Sequence, residues 1–164
     1  MLEFNGKGQQ FLHEACLKGK LEIVKHLLDN EGADIESTDL FGLTCLHLAS
    51  KFYHLEMVKF LVKEKGANLE ANDVNGRTAL HHACTNKSEH FSYISDDKFG
   101  YFENRVKSVG QEQTNVPIAD YLIGRGADLF AKDNEGNYPL DLVNNVDEPR
   151  MVHLLSSKMK RYLS

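Results

Sequence analysis

Residues 41–47 read FGLTCLH, and residues 75–81 repeat the pattern as NGRTALH. Glycine, threonine, leucine and histidine keep their places at a spacing of 34 residues. A weaker copy, KGQQFLH, stands 34 residues earlier at 7–13, and a fourth, EGNYPLD, stands 60 residues later at 135–141. A fixed period of this length indicates a structural repeat, which determines the fold before any local pattern is considered.

A second marker keeps the same register. A Gly-Ala-Asp or Gly-Ala-Asn triplet begins at Gly32, Gly66 and Gly126, at spacings of 34 and then 60. Between the two markers apolar residues recur every three or four positions, which predicts helices. Thr44 and Thr78 are placed to cap the first helix of their units, and the three glycines are placed to end the second helices. Each unit is therefore predicted to be two helices joined by a turn.

These residues resemble the ankyrin signature, in which a Thr-Pro-Leu-His turn opens the first helix and Gly-Ala-Asp follows the second. The resemblance covers nearly the whole chain. It implies an all-α ankyrin-repeat solenoid of helix-turn-helix units linked by β-hairpin-like turns. We interpret residues 1–164 as one domain with repeats at about 5–38, 39–72, 73–132 and 133–164. The end repeats match least, as expected of units that turn one face to water.

The third repeat is 60 residues long against 34 in each of the first two, and the extra residues lie at about 87–115. The insert is rich in aromatic residues for a loop. Long loops are usually either functional or unstructured, and two interpretations stay open: the insert packs back on the solenoid, or it forms a second partner-binding element. Its aromatic residues are Phe91, Tyr93, Phe99, Tyr101 and Phe102.

Composition limits the classes of partner. A formal charge of −5 and a pI near 5.9 provide no basic field for phosphates, so no nucleic acid is expected as partner. No signal peptide and no membrane span are recognisable. Three cysteines without CxxC spacing fit a reducing compartment, which predicts a cytoplasmic or nuclear protein. We expect a monomer.

The sequence offers little for catalysis. A thiolate beside an imidazole would be a nucleophile, but His13, His47 and His81 occupy one place in successive repeats, which favours a scaffolding role. The cysteines are expected to behave as small buried residues. Phosphate-loop, GxGxxG, HExxH and GxSxG motifs are absent from the sequence. We predict a non-catalytic protein with no cofactor and no metal site.

The resemblance implies that the turn tips and the exposed side of each first helix line one concave binding surface. The second repeat is unusual there because it is apolar where exposed positions should be polar, which marks an interaction site. The alternative is that Phe52 and Tyr53 fold over their own helix turn and Leu40 folds over the next hairpin. His82 is interpreted as a surface contact or a satisfied polar residue. The predicted partner-binding residues are Leu40, Phe41, Leu43, Lys51, Phe52, Tyr53, Val74, Asn75, Arg77 and His82.

Three functions remain open on the sequence alone. The first is an adaptor or scaffold that binds another protein through an apolar segment with acidic edges. The second is an inhibitor or regulatory subunit of an enzyme or transcription factor. The third is a targeting domain of a larger enzyme or of a host-directed bacterial or viral effector.

Overall fold

The computed structural model describes residues 6–85, 115–143 and 148–164. Within these ranges the helices come in pairs, and α4 continues as a π-helical turn over Phe60–Glu64. No strand occurs in these three ranges, which confirms the predicted all-α fold. The helices are α1 (Gly6–Leu17), α2 (Leu21–Asn30), α3 (Cys45–Lys51), α4 (Leu55–Lys59), α5 (Ala79–Cys84), α6 (Val116–Gly124) and α7 (Pro149–Leu163).

The helices stack as a short solenoid. Within units, α1 packs on α2, α3 on α4 and α5 on α6; between units, α1 packs on α3 and α3 on α5. Leu12, Leu46 and Leu80 share one place in the repeat and are all fully buried. Because burying a leucine contributes about 1.5–3 kcal/mol, this column of side chains is a main source of cohesion between units.

The first helices of the two inner repeats begin at the predicted threonines. The Thr44 backbone N–H donates to Nδ1 of His47 at 3.0 Å, and Thr78 donates to Nδ1 of His81 at 3.1 Å. Since Nδ1 accepts, the proton of the neutral ring is on Nε2. Nε2 of His47 then donates to the carbonyls of Ala71 (2.9 Å) and Arg77 (3.0 Å) in the next turn. The scaffolding interpretation of these histidines is confirmed.

The helix ends differ by one residue between repeats. The predicted glycines at 32, 66 and 126 all have positive φ, as residues that end a helix do. In repeat two the second helix begins at Leu55, ends in the π-helical turn and is followed by Gly66. In repeat three α6 begins at Val116 and is followed by Gly126, so the stretch from helix start to glycine is one residue shorter. The repeat therefore absorbs small differences in length at this end of the second helix.

The fourth unit departs from the helix-turn-helix prediction. Its first helix is only a 3₁₀ turn, Pro139–Leu142, because the chain returns to an extended conformation at Val143. The Tyr138 N–H donates to Oδ2 of Asp141 at 2.8 Å, so the aspartate replaces the histidine of the inner repeats. α7 closes this end with Met151 and Leu155 fully buried.

The predicted insert lies almost wholly outside the described residues. Only Asn115, at its end, is described; it is buried and precedes α6. Phe91, Tyr93, Phe99, Tyr101 and Phe102 are outside the described residues, and their binding role stays a prediction.

Candidate partner-binding surface

Three turns of the same construction link the repeats, at residues 39–43, 73–77 and 133–137. Each begins with an aspartate, Asp39, Asp73 or Asp133, whose Oδ1 accepts the backbone N–H groups two and four residues later at 2.8–3.0 Å. The aspartate's own N–H donates to the carbonyl four residues later. Side-chain bonds of this kind hold a tight turn in one conformation, so the turns present their tips on a rigid frame.

Adjacent tips are also bonded to each other. The Val74 N–H donates to the Phe41 carbonyl at 3.1 Å, and the Asn134 N–H donates to the Asn75 carbonyl at 2.9 Å. Gly42 is required at this contact, because a Cβ there would lie 2.9 Å from the Val74 nitrogen. The three tips therefore form a continuous row with a fixed spacing.

The first two tips carry exposed apolar side chains. Leu40 is 97% exposed, Phe41 49% and Val74 58%. We call Leu40, Phe41 and Val74 the tip ridge. At the third tip the corresponding region is polar, with Asn134 and Glu135 exposed. A contiguous group of exposed apolar side chains marks a surface on which a partner can bind.

The prediction that Leu43 is exposed is wrong. Leu43 is only 2% exposed and belongs to the hydrophobic core. Its N–H donates to Oδ1 of Asp39 at 2.9 Å, and its carbonyl accepts the Asp39 N–H at 3.0 Å. These two bonds close the turn at this residue, and its side chain is packed under the tips.

The segment after α3 is less exposed than the sequence suggested. Lys51, Phe52 and Tyr53 are each half-buried, and Phe52 packs against the core. Tyr53 has φ 66°, the left-handed conformation that Gly19 adopts at the same place in repeat one. Burial, with Glu148 nearby, raises the pKa of the Tyr53 phenol. Of the two interpretations of this segment, packing over its own helix turn agrees better with this burial.

Arg77 is committed to the neighbouring turn. Its Nε donates to Oδ2 of Asp133 at 3.3 Å, and its side chain is only 19% exposed. The guanidinium therefore joins the second and third turns, which limits its reach toward a partner. Asn75 is exposed beside Val74 at the second tip.

The interpretation of His82 as a surface contact is wrong, and the alternative of a satisfied polar residue is closer to the structure. His82 is buried, and its Nε2 lies 2.8 Å from Oδ2 of Asp73. Its ring also meets the ring of His47 edge-on, with centroids 5.3 Å apart. Nδ1 of His82 is buried without a hydrogen-bond partner among the described residues.

The titration of this pair follows from its burial. Burial lowers the pKa of His82 to about 4, against the opposing hydrogen bond to Asp73. Burial alone would raise the pKa of Asp73, but hydrogen bonds from His82 and from the backbone of Arg77 and Asn75 hold it at about 2. At neutral pH the pair is thus a neutral imidazole donating to a carboxylate. It braces the second turn against α5.

The cysteines do not have the properties of catalytic nucleophiles. All three are free and buried. Burial raises the pKa of the Cys16 thiol, and the adjacent Cys45 adds to this rise. Burial likewise raises the pKa of Cys84. Since the thiolate is the reactive form, the raised pKa values of Cys16 and Cys84 keep these two thiols protonated at neutral pH. All three side chains are small and buried, as the sequence predicted.

Residues 6–85, 115–143 and 148–164 contain no cluster of three or more histidine, cysteine or acidic side chains able to hold a metal ion. In the same ranges, no helix combines the length and the apolar character that crossing a bilayer requires.

Sequence reasoning missed the turn aspartates and the bonds between tips. The signal was available, because an aspartate recurs three residues before the glycine of three units, at Asp39, Asp73 and Asp133. It also missed a groove on the outer face of repeat one, beside Phe11 and Ile23. Its signal was the phenylalanine at a place where later repeats have Cys45 and Ala79.

Comparison with families of known proteins matches residues 12–103 to ankyrin repeats, in three copies. The match covers more than half of the 164 residues. No curated protein sequence matched this chain.

Proposed function

The chain belongs to the ankyrin-repeat family, whose members are generally protein-binding modules, and from this premise we propose that it is a non-catalytic adaptor. In this proposal the tip ridge of Leu40, Phe41 and Val74 holds a partner protein. The partner contributes an apolar segment with acidic edges, and one of those edges lies near Lys51, since Arg77 is already paired with Asp133.

The observation that carries the proposal is the exposure of the ridge on a hydrogen-bonded backbone. Leu40 is almost wholly exposed, and the neighbouring tip is fixed to it through the bond from Val74 to the Phe41 carbonyl. Because the backbone of the tips is already ordered, binding costs little backbone conformational entropy, so more of the burial appears as affinity. Without a partner, a cluster of exposed apolar residues would favour aggregation.

The test compares two leucines of similar exposure at opposite ends of the molecule. Leu40 stands at the first tip, and Leu163, 78% exposed, stands at the end of α7. Wild-type protein, Leu40→Glu and Leu163→Glu are immobilised, and proteins captured from a lysate of the source cells are quantified by mass spectrometry. We expect Leu40→Glu to lose at least about tenfold in capture, as hot-spot truncations do, whereas Leu163→Glu retains the wild-type set.

The folds of all three proteins are checked by circular dichroism and urea unfolding before capture. Equal capture by Leu40→Glu and wild type would exclude the tip ridge as the binding surface. Equal loss in both variants would show that capture depends on overall surface charge and not on this site.

The adaptor and the regulator are separated by a second measurement. A captured enzyme is assayed with and without this protein at saturating concentration. An adaptor leaves turnover unchanged, whereas a regulatory subunit alters it, and Leu40→Glu abolishes any such change if the tip ridge is responsible.

A further inference from the structure

The row of tips exposes a backbone donor at its first end. In the second and third tips this donor is used, since the Val74 N–H binds the Phe41 carbonyl and the Asn134 N–H binds the Asn75 carbonyl. The residue at the same place in the first tip is Leu40. Its N–H has no hydrogen-bond partner among the described residues. The group that joins each later tip to the tip before it is therefore unused at Leu40 in this part of the chain.

Repeat one does not supply the matching carbonyl, because helix replaces its tip. The acceptors in the row are the carbonyls of Phe41 and Asn75, each the third residue of its turn. The corresponding residue of repeat one is Lys7, which lies in the first turn of α1 (Gly6–Leu17). Carbonyls there accept the N–H four residues later in the same helix. The first end of the row is thus open, like the edge strand of a sheet.

The open donor stands among apolar side chains. Leu40 is 97% exposed, so nearly the whole residue is in contact with solvent, and Phe41 beside it is 49% exposed. The third tip, at the other end of the row, is polar, with Asn134 and Glu135 exposed. Of the two ends, the first therefore combines a backbone donor with exposed apolar groups.

The later tips show what chemistry binds such a donor. At both Val74 and Asn134 the acceptor is a backbone carbonyl, at 3.1 and 2.9 Å. A partner presents a carbonyl of this kind from an extended segment, because the carbonyls inside a helix are already used. Extended peptides bind open sheet edges in the same way, with main-chain hydrogen bonds for affinity and side chains for specificity.

We propose that the partner of the tip ridge binds through an extended segment whose backbone carbonyl accepts the Leu40 N–H, in the place that a preceding tip would occupy. An apolar side chain of this segment lies against Leu40 and Phe41. The inference rests on the proposed function, because it assigns the mode by which the tip ridge holds its partner.

The turn allows the donor to be removed by substitution. Leu40 is the second residue of a turn that the bond from the Gly42 N–H to the Asp39 carbonyl closes at 3.1 Å. Proline is favoured at the second position of such turns, and it has no N–H. Leu40→Pro therefore deletes the donor. Leu40→Ala keeps the N–H and also lacks most of the leucine side chain, so it is the matched control.

The probe is a phage-displayed library of random linear peptides of about ten residues, the upper length of an ordinary strand. Peptides selected on the wild-type protein are synthesised, and fluorescence anisotropy gives their dissociation constants for wild type, Leu40→Ala and Leu40→Pro. We expect Leu40→Ala to bind at least about tenfold more weakly than wild type, as a hot-spot truncation does. Leu40→Pro should bind at least about fivefold more weakly than Leu40→Ala, through the loss of one backbone hydrogen bond.

Urea midpoints check the fold, with Val74→Pro as a variant that removes a bond used within the row. Leu40→Pro should keep or exceed the wild-type midpoint, whereas Val74→Pro should lower it. A second readout needs no substitution. The exchange rate of the Leu40 amide in wild-type protein, measured by NMR, should fall at least about tenfold when a selected peptide is bound. If Leu40→Pro lowers the midpoint, this rate decides the result.

The outcomes separate this inference from the proposed function. Equal affinity of Leu40→Ala and Leu40→Pro, with unchanged exchange at Leu40, would overturn the inference and leave the tip ridge as a surface that binds through side chains. A library without any binder of wild type would also overturn it, because an extended segment would then have no affinity for the ridge. Equal affinity of all three proteins would place the peptides elsewhere and contradict the proposed function as well.

Discussion

The first and second repeats carry the same sequence pattern. Residues at equivalent positions are nevertheless exposed in the first repeat and buried in the second. Cys45 and Met57 are buried, whereas Phe11 and Ile23, at the same places in repeat one, are more than half exposed. The repeat pattern therefore specifies which residues face along the stack. It does not specify whether a neighbour is there.

The capping network shows the same contrast. In repeat two, Thr44 and His47 bond each other, and the histidine reaches two carbonyls of the next turn. In repeat one Gln10 occupies the place of that threonine, and Nε2 of His13 lies 2.8 Å from the Ser37 carbonyl oxygen. The inner repeats therefore depend on these histidines more than the outer one does.

The largest expected effect comes from the apolar positions. Met57→Ala should lower the free energy of unfolding by about 2–5 kcal/mol, because it leaves a cavity in a packed junction. Ile23→Ala should change it by less than about 1 kcal/mol, as exposed substitutions do. Urea unfolding followed by circular dichroism measures both. Equal losses would show that the outer face of repeat one is as well covered as an inner junction.

The next effect concerns the capping histidines. His81→Ala removes the acceptor of the Thr78 N–H and the donor to the Asn137 carbonyl, so we expect a loss of about 2–3 kcal/mol from two unsatisfied buried groups. His13→Ala, its counterpart in repeat one, should lose about 1 kcal/mol. The two urea midpoints provide the measurement, and a His13→Ala variant less stable than His81→Ala would contradict the asymmetry.

A pH titration tests the inner histidines together. Burial lowers the pKa of His47, His81 and His82, the last to about 4. The unfolded chain therefore binds more protons below about pH 6.5, so stability is full above that pH and falls as pH decreases. For each histidine still neutral in the folded state the slope is at most about 1.4 kcal/mol per pH unit.

We expect a loss of about 1–2 kcal/mol between pH 7 and pH 5.5, measured as urea midpoints at intervals of half a pH unit. Asp73, with a pKa of about 2, contributes a separate loss only below about pH 4. Constant stability from pH 7 to pH 5 would show that these rings are not held neutral by burial.

The smallest effect lies where repeat one meets repeat two. Gly19 and Gly32 both have φ 68°, but a Cβ on Gly19 would lie 2.6 Å from the His54 ring, whereas a Cβ on Gly32 would have no atom within 4 Å. Gly32→Ala should cost about 1 kcal/mol from backbone strain alone.

Gly19→Ala should cost slightly more, because it also displaces the His54 ring, whose Nε2 bonds the Leu17 carbonyl at 2.8 Å. The difference between the two urea midpoints isolates that contact. Identical midpoints would mean that His54 moves aside without cost.

The prediction from sequence was accurate where local chemistry decides structure. The threonine caps, the scaffolding histidines and the helix-ending glycines follow from residue types at a fixed spacing, and the structure confirms them. The shortened first helix of the fourth unit was not predicted, because Asp141 can cap the turn but does not extend it.

The candidate site was predicted less completely. Leu40, Phe41 and Val74 are exposed as expected, but Leu43 and His82 are buried. Leu43 occupies a turn position that would be exposed in an isolated hairpin, and Asp39 closes the turn over it. His82 is polar and follows His81, yet Asp73 supplies a buried partner from the preceding turn.

The sequence by itself determined the repeat, its period, its caps and the apolar column of Leu12, Leu46 and Leu80. These depend on backbone preferences and on spacing along one chain. Three features are visible only in the tertiary structure. It shows which of the equivalent positions are buried, and it shows Tyr53 in a conformation typical of glycine. It also shows that hydrogen bonds join the tips into a row. Burial is a property of two surfaces in contact, and the pattern of one repeat contains no information on whether a second surface is present.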